Sequence, residues 1–129
     1  MKLFRIAIAG AVLAIVLAGQ APGRSHGTVI EQTEYWALPG KADEVFAWRL
    51  HACDVREKIG LPRGRVFRRQ GESESLPDVV WQIEYPNEAA RLKDLKTRDE
   101  SPEFKAVRDH MDTLTRHFER GFWAPEPSQ

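Results

Sequence analysis

The sequence predicts a single small α+β domain, in which two strand–helix–strand halves share one antiparallel sheet. Every second residue of the segment 79–85 is apolar, from Val79 to Tyr85, as in a strand with one buried face. Pro39-Gly40 marks a turn between a predicted strand and helix. Ser101-Pro102-Glu103 combines a capping residue, a first-turn proline and an acid, which is typical of a helix start.

Composition limits the function classes. The chain has 129 residues, of which 42% are hydrophobic and 29% charged, as expected for one globular domain. Nineteen basic residues balance nineteen acidic ones, and no basic stripe or phosphate-binding loop occurs, so we expect no nucleic-acid partner. Cys53 is the only cysteine, so the domain cannot form an internal disulfide.

The N-terminus has the layout of a secretory signal peptide. Lys2 and Arg5 precede the apolar run Ile6–Leu17, and small residues follow it. The run is too short for a typical membrane span of about 20 residues, although an uncleaved anchor is the alternative. We therefore predict a periplasmic or secreted protein with no membrane association after cleavage: a signal at residues 1–21, a linker at 22–27, the domain at 28–124 and a tail at 125–129.

The first half is predicted to contain a strand at Thr28–Leu38 and a helix from Lys41 to about Lys58. Two separate apolar stripes run along the surface of this helix. One can pack on the sheet, while the other needs a second helix or a partner subunit. Arg49 lies between the stripes. The favoured interpretation is that its guanidinium reaches solvent or pairs with a glutamate. The alternative is an anion-binding arginine in a pocket.

A strand is predicted at Arg63–Gln70, and a loop connects it to the second half of the domain. After the strand at residues 79–85, Asn87 is predicted to cap a charged helix. A second helix begins at Ser101, and Arg120–Trp123 is predicted as a short last strand. The helical spacing that indicates this second helix runs through Phe104, Val107, Met111, Leu114 and Phe118. The complete order, βαββαβ, indicates a ferredoxin-like sheet with helices on one face.

Four segments of the chain resemble NIPSNAP-like proteins of the dimeric α/β barrel superfamily. They are Leu38–Glu44, Arg56–Leu61, Val79–Tyr85 and Asp99–Phe104, where Ser101 and Phe104 replace the family's usual Asp and Trp. The resemblance implies a ferredoxin-like fold and a homodimer whose two sheets face each other. Structural cousins include cofactor-free monooxygenases, haem-degrading enzymes and isomerases, so the resemblance implies no single reaction.

Five residues are candidates for a ligand pocket. Tyr35 and Trp81 are expected to line any cavity between the sheet and the helices. His110 and His117 are predicted to lie on one side of the last helix, as acid/base groups or haem ligands, although exposed boundary histidines are the favoured interpretation. Arg49 is the candidate for holding an anion. The spacing of these residues predicts no metal cluster and assigns no catalytic residue.

Three functions are compatible with this pattern. The favoured one is an exported dimeric domain without chemistry, which binds a small molecule or serves as an interaction module. The second is a cofactor-free monooxygenase or isomerase that uses His110 with Arg49 on a small anionic or aromatic substrate. The third is a haem-binding protein with His110 or His117 as the ligand.

Overall fold

The computed structural model describes residues 27–127, so the predicted signal peptide, most of the linker and the last two residues lie outside it. Its elements, in chain order, are β1 (Val29–Ala37), α1 (Ala42–Lys58), β2 (Arg65–Arg68), β3 (Val79–Tyr85), α2 (Glu88–Glu100), α3 (Pro102–Leu114) and β4 (Thr115–Trp123). Within this range, no helix is both long and apolar enough to cross a membrane.

The strands form one antiparallel sheet in the order β2-β3-β1-β4, which confirms the predicted α+β, ferredoxin-like class. The central strands alternate as the sequence predicts. On β3, Val79, Trp81, Ile83 and Tyr85 are buried beneath the helices, and on β1 the buried side chains include Glu31, Thr33 and Tyr35. The other face of the sheet, which we call the outer face, is partly exposed.

Both helices of the second half begin at the predicted caps. The Asn87 side chain accepts a hydrogen bond from the backbone of Ala90 at 2.8 Å, and the Ser101 hydroxyl accepts one from Phe104 at 3.1 Å. Each cap satisfies an N–H group that has no partner within its helix. The predicted apolar stripe of α3 is buried from Phe104 to Leu114.

The two apolar stripes of α1 have different partners. Cys53 and Phe46 of one predicted stripe belong to the core between the helices and the sheet, whereas Ala52 and Val55 of the other pack against α3. Val45 was predicted on the stripe of Ala52 and Val55 but lies in the core on the sheet. Trp48 joins the two helices, because its indole N–H donates to the carbonyl oxygen of Val107 at 2.9 Å. The second surface that the sequence required is therefore α3 of the same chain.

The end of the domain differs from the prediction. Helix α3 ends at Leu114, and Thr115 already has extended backbone angles. Strand β4 then runs for nine residues, so it is much longer than the predicted Arg120–Trp123. Its pairing with β1 opposes Tyr35 to Phe118 and Trp36 to His117. Phe118 and His117 are therefore strand residues, and their predicted place on the last helix is wrong.

Candidate ligand-binding site

A cavity of about 290 Å³ lies between the helix side of the sheet and α3. Its inner wall combines apolar and aromatic side chains with charged ones and with three hydroxyl groups. The wall includes Thr33, Tyr35, Arg49, Trp81, Leu95, Phe104, Val107, Met111 and Thr115. A concave site that combines aromatic side chains with polar groups can hold a small molecule that carries a charged group.

Arg49 is the unusual residue of this wall. It is only 4% exposed, its Nε has no hydrogen-bond partner, and it forms no ion pair with the carboxylates of residues 27–127. Burial lowers the pKa of Arg49, and this effect exceeds the opposing influence of Tyr35 and Cys53. An arginine nevertheless stays protonated in a protein. The domain therefore holds beside its cavity a buried positive charge that has no ion-pair partner, an arrangement that costs free energy.

Trp81 supports Arg49 from the sheet. The guanidinium carbon of Arg49 lies 4.4 Å from the centre of the indole ring, within the range of a cation–π contact. The indole N–H donates to the carbonyl oxygen of Arg63 at 3.2 Å, which fixes the ring. Gly64, with a φ of 74°, packs so closely that a Cβ atom there would lie 2.8 Å from Cε2 of the ring and closer still to its Nε1. Trp81 is thus a rigid platform for the arginine.

A second arginine contacts the same ring but is fully compensated. Arg56 lies 4.9 Å from the Trp81 ring centre and is completely buried. Its two terminal nitrogens donate to the two carboxylate oxygens of Asp94 at 3.1 and 2.5 Å, and its Nε donates to the Pro62 carbonyl at 2.7 Å. Such bidentate pairing is the usual way to bury an arginine. Arg49 and Arg56 therefore form a natural comparison.

The other buried charges continue this ion-pair network. Arg98 lies between Asp94 and Glu31: its Nε is 2.9 Å from Asp94 without the alignment of a hydrogen bond, and its terminal nitrogens are 3.5 Å from Glu31. Glu31 also pairs with Nε of Arg120 at 3.3 Å. Each of these arginines has an acidic partner, which leaves Arg49 as the exception in this network.

The mouth of the cavity is formed by α3 and β4. Its lining residues there are exposed: Arg108 and Asp112 on the helix, and Phe118 and Arg120 on the strand. Arg108 pairs with Asp99 at 2.9 Å, whereas Asp112 has no ion-pair partner within residues 27–127. A small molecule can therefore reach Arg49 from solvent along this side.

The structure brings together three of the five residues that the sequence singled out. Tyr35, Arg49 and Trp81 all line the cavity. The favoured interpretation of Arg49 is wrong, because its guanidinium neither reaches solvent nor pairs with a glutamate. His110 is exposed and packs against Trp48, at 4.2 Å between ring centres, beside a different surface depression. His117 lies on the outer face, where it contacts Glu119 at 3.0 Å.

These positions bear on the proposed haem chemistry. Neither His110 nor His117 lines the cavity, so its residues do not fit axial ligation of haem by either histidine. Residues 27–127 also contain no group of three side chains that could hold a metal ion.

Sequence reasoning did not identify the charged side chains around the cavity. Glu31, Arg98 and Arg120 come from β1, α2 and β4, and long stretches of chain separate them. One available signal was Glu31 itself, a carboxylate on the same strand face as Tyr35, because a buried acid requires a cation beside it.

Comparison with solved structures identifies the same fold in other proteins. A dimeric protein of unknown function and ferredoxin-like fold from Bacteroides fragilis matches with a TM-score of 0.58 and 15% identity, over 76% of this chain and 96% of that one. An uncharacterized NIPSNAP domain protein from Burkholderia xenovorans matches with a TM-score of 0.58 and 18% identity, over 76% and 94%. A candidate antibiotic biosynthesis monooxygenase from Bacteroides thetaiotaomicron matches with a TM-score of 0.53 and 16% identity, over 78% and 90%.

The structural neighbours thus include NIPSNAP proteins, as the sequence motifs indicated, and the likeness is one of fold. Neither the protein-family models nor the curated proteins match the sequence.

Proposed function

We propose that this domain binds a small organic anion in the cavity between the sheet and α3, with Arg49 holding the anionic group. The observation that carries the proposal is the buried, unpaired guanidinium of Arg49 in the cavity wall. A ligand anion would supply the missing counter-charge in a place where electrostatic attraction is weakly screened. The apolar wall would take the body of the ligand.

The proposal keeps the small-molecule interpretation of the sequence and leaves any reaction unassigned. His110 cannot serve as the acid/base partner of Arg49 in this cavity, because it packs against Trp48 elsewhere. The hydroxyl of Tyr35 and the carboxylate of Asp112 are the groups in the lining that could move a proton. Binding requires only the arginine and the cavity, and it is therefore the simpler function.

Binding can be tested with a panel of small aryl and alkyl carboxylates, each paired with its neutral amide. We expect some carboxylates to raise the melting temperature of the wild-type domain while their amides do not. Arg49→Met should abolish this effect. Arg63→Met is the matched control, since Arg63 pairs with Asp54 and Glu57 outside the cavity wall. A panel in which Arg49→Met responds like the wild type would refute the function.

We also infer that two copies associate through the outer face of the sheet. A structural neighbour with this fold is described as dimeric, and the outer face carries half-buried Trp36 and Val80 together with a hydrogen bond between Gln32 and Gln82 at 2.9 Å. Analytical ultracentrifugation should find a dimer for the wild type and a monomer for Val80→Glu. A wild-type protein that sediments as a monomer at high concentration would exclude this association.

Export remains part of the proposal on the strength of residues 1–21. Expression of the full chain with fractionation should place the protein outside the cytoplasm, and its mass should correspond to cleavage after Ala18 or Ala21. Recovery of the uncleaved chain in the membrane fraction would favour the anchor instead.

A further inference from the structure

We propose that the cavity selects a ligand with a single negative charge, namely a carboxylate on a compact apolar body, and discriminates against dianions such as phosphate esters. This inference rests on the binding function proposed above and specifies its ligand class. It follows from the charges around the cavity, the geometry of Arg49 and the size of the space.

The charged residues of the cavity and their ion-pair partners carry a net charge of one. The positive side consists of Arg49, Arg56, Arg98, Arg108 and Arg120. The negative side consists of Glu31, Asp94, Asp99 and Asp112. Five arginines against four carboxylates leave one positive charge, and the arginine that lacks an acidic partner is Arg49. One ligand charge therefore balances the site.

A second negative charge on the same head group would meet no unpaired arginine. Arg56 and Arg98 are held by Asp94 and Glu31, Arg120 shares Glu31 with Arg98, and Arg108 is held by Asp99. Asp112 at the mouth would repel the excess charge. A buried, uncompensated charge is strongly unfavourable, so a dianion should bind less tightly than a monoanion of similar size.

The position of Arg49 also suits a carboxylate. Its guanidinium carbon lies 4.4 Å from the centre of the Trp81 ring, so the indole covers one side of the group. The N–H groups of a guanidinium lie in its plane, and a carboxylate matches them with two parallel hydrogen bonds. The Nε of Arg49 is fully buried, so the two terminal nitrogens are the donors that such a pair would use.

The cavity is also small. Its volume of about 290 Å³ lies at the lower end of the roughly 300–1,000 Å³ range of small-molecule sites. The ligand body is therefore about the size of a single substituted ring or a short branched chain. Trp81, Phe104 and Met111 provide apolar contact for it.

The test compares phenylacetate with phenyl phosphate, which carry the same ring. Phenyl phosphate is a dianion at pH 8, because its second pKa is about 6. By calorimetry, the wild-type protein should bind phenylacetate at least about tenfold more tightly than phenyl phosphate. A tenfold difference in Kd corresponds to about 1.4 kcal/mol of binding free energy. Arg49→Met should weaken phenylacetate binding by at least that factor.

Asp112→Asn tests the charge balance without altering the core. Removing this exposed carboxylate leaves two uncompensated positive charges, so phenyl phosphate should gain several-fold in affinity relative to phenylacetate. Asp109→Asn is the matched control, because Asp109 is exposed on the same helix but pairs with Lys105 outside the cavity wall. This control should leave the ratio of affinities unchanged.

Two results would count against the ligand class and the function separately. If phenyl phosphate binds the wild type as tightly as phenylacetate and both depend on Arg49, the site binds anions but the preference for one charge is wrong. If neither compound distinguishes the wild type from Arg49→Met, the binding function fails as well.

Discussion

Arg49 and Arg56 allow a direct test of whether an uncompensated charge is stored beside the cavity. Both guanidiniums are buried and both contact the ring of Trp81, but only Arg56 has a carboxylate partner. We expect their replacement by methionine, which retains much of the apolar packing, to change stability in opposite directions.

The magnitudes follow from the contacts. Burying an ion without a partner costs several kcal/mol, here taken as roughly 3–4 kcal/mol, and the lost contact between Arg49 and Trp81 is worth about 2 kcal/mol when desolvated. Arg49→Met should therefore stabilise the unliganded domain by about 1–2 kcal/mol. Arg56→Met leaves Asp94 with only Arg98 as its partner and removes the donor to Pro62, which should cost about 3–5 kcal/mol.

Urea unfolding followed by circular dichroism measures both effects. For a domain of this size, each kcal/mol also shifts the melting temperature by about 4–8 °C, so Arg49→Met should melt several degrees above the wild type. A gain in stability joined to a loss of ligand binding is the pattern expected of a residue retained for function. If both variants destabilise the domain equally, Arg49 has a compensating partner and the argument for a ligand anion is refuted.

Two further substitutions test the surroundings of the site. Gly64→Ala combines a positive φ with overlap of the Trp81 ring, and we expect it to lower the free energy of unfolding by about 2–4 kcal/mol. Gly71→Ala has the same backbone strain but open space around the new Cβ, and we expect a loss of about 1–2 kcal/mol. Equal losses in urea unfolding would contradict the close packing of Gly64 on Trp81. Burial raises the pKa of the Tyr85 phenol, so its contribution to stability is fully present below the unfolded pKa of about 10 and is lost at higher pH. The melting temperature of Tyr85→Phe should accordingly fall less steeply than that of the wild type above about pH 10, and parallel curves would contradict the assignment.

The parts of the fold that the sequence predicted correctly depend on local signals. The alternation of Val79–Tyr85 identifies its buried face because side chains of a strand point to opposite sides. Asn87 and Ser101 mark helix starts because each side chain bonds its own first turn. Neither inference needs to know where the rest of the chain lies.

The errors arose where distant pairing overrides local pattern. Phe118 continues the helical spacing of α3, but pairing of β4 with β1 draws it and His117 into the sheet. The environment of Arg49 was unpredictable for a related reason. Whether a carboxylate neutralises this arginine depends on how Asp94 and Glu31 are shared with Arg56 and Arg98, which come from other parts of the fold.

The alternation of β1 separates the two proposed functions in space. Thr33 and Tyr35 face the cavity, whereas Gln32 and Trp36 lie on the outer face, and the cavity opens between α3 and β4. Association through the outer face would therefore leave every cavity open to solvent. The expected stoichiometry is one ligand per chain, with independent occupancy of the two sites, and a hyperbolic binding curve that Val80→Glu does not change.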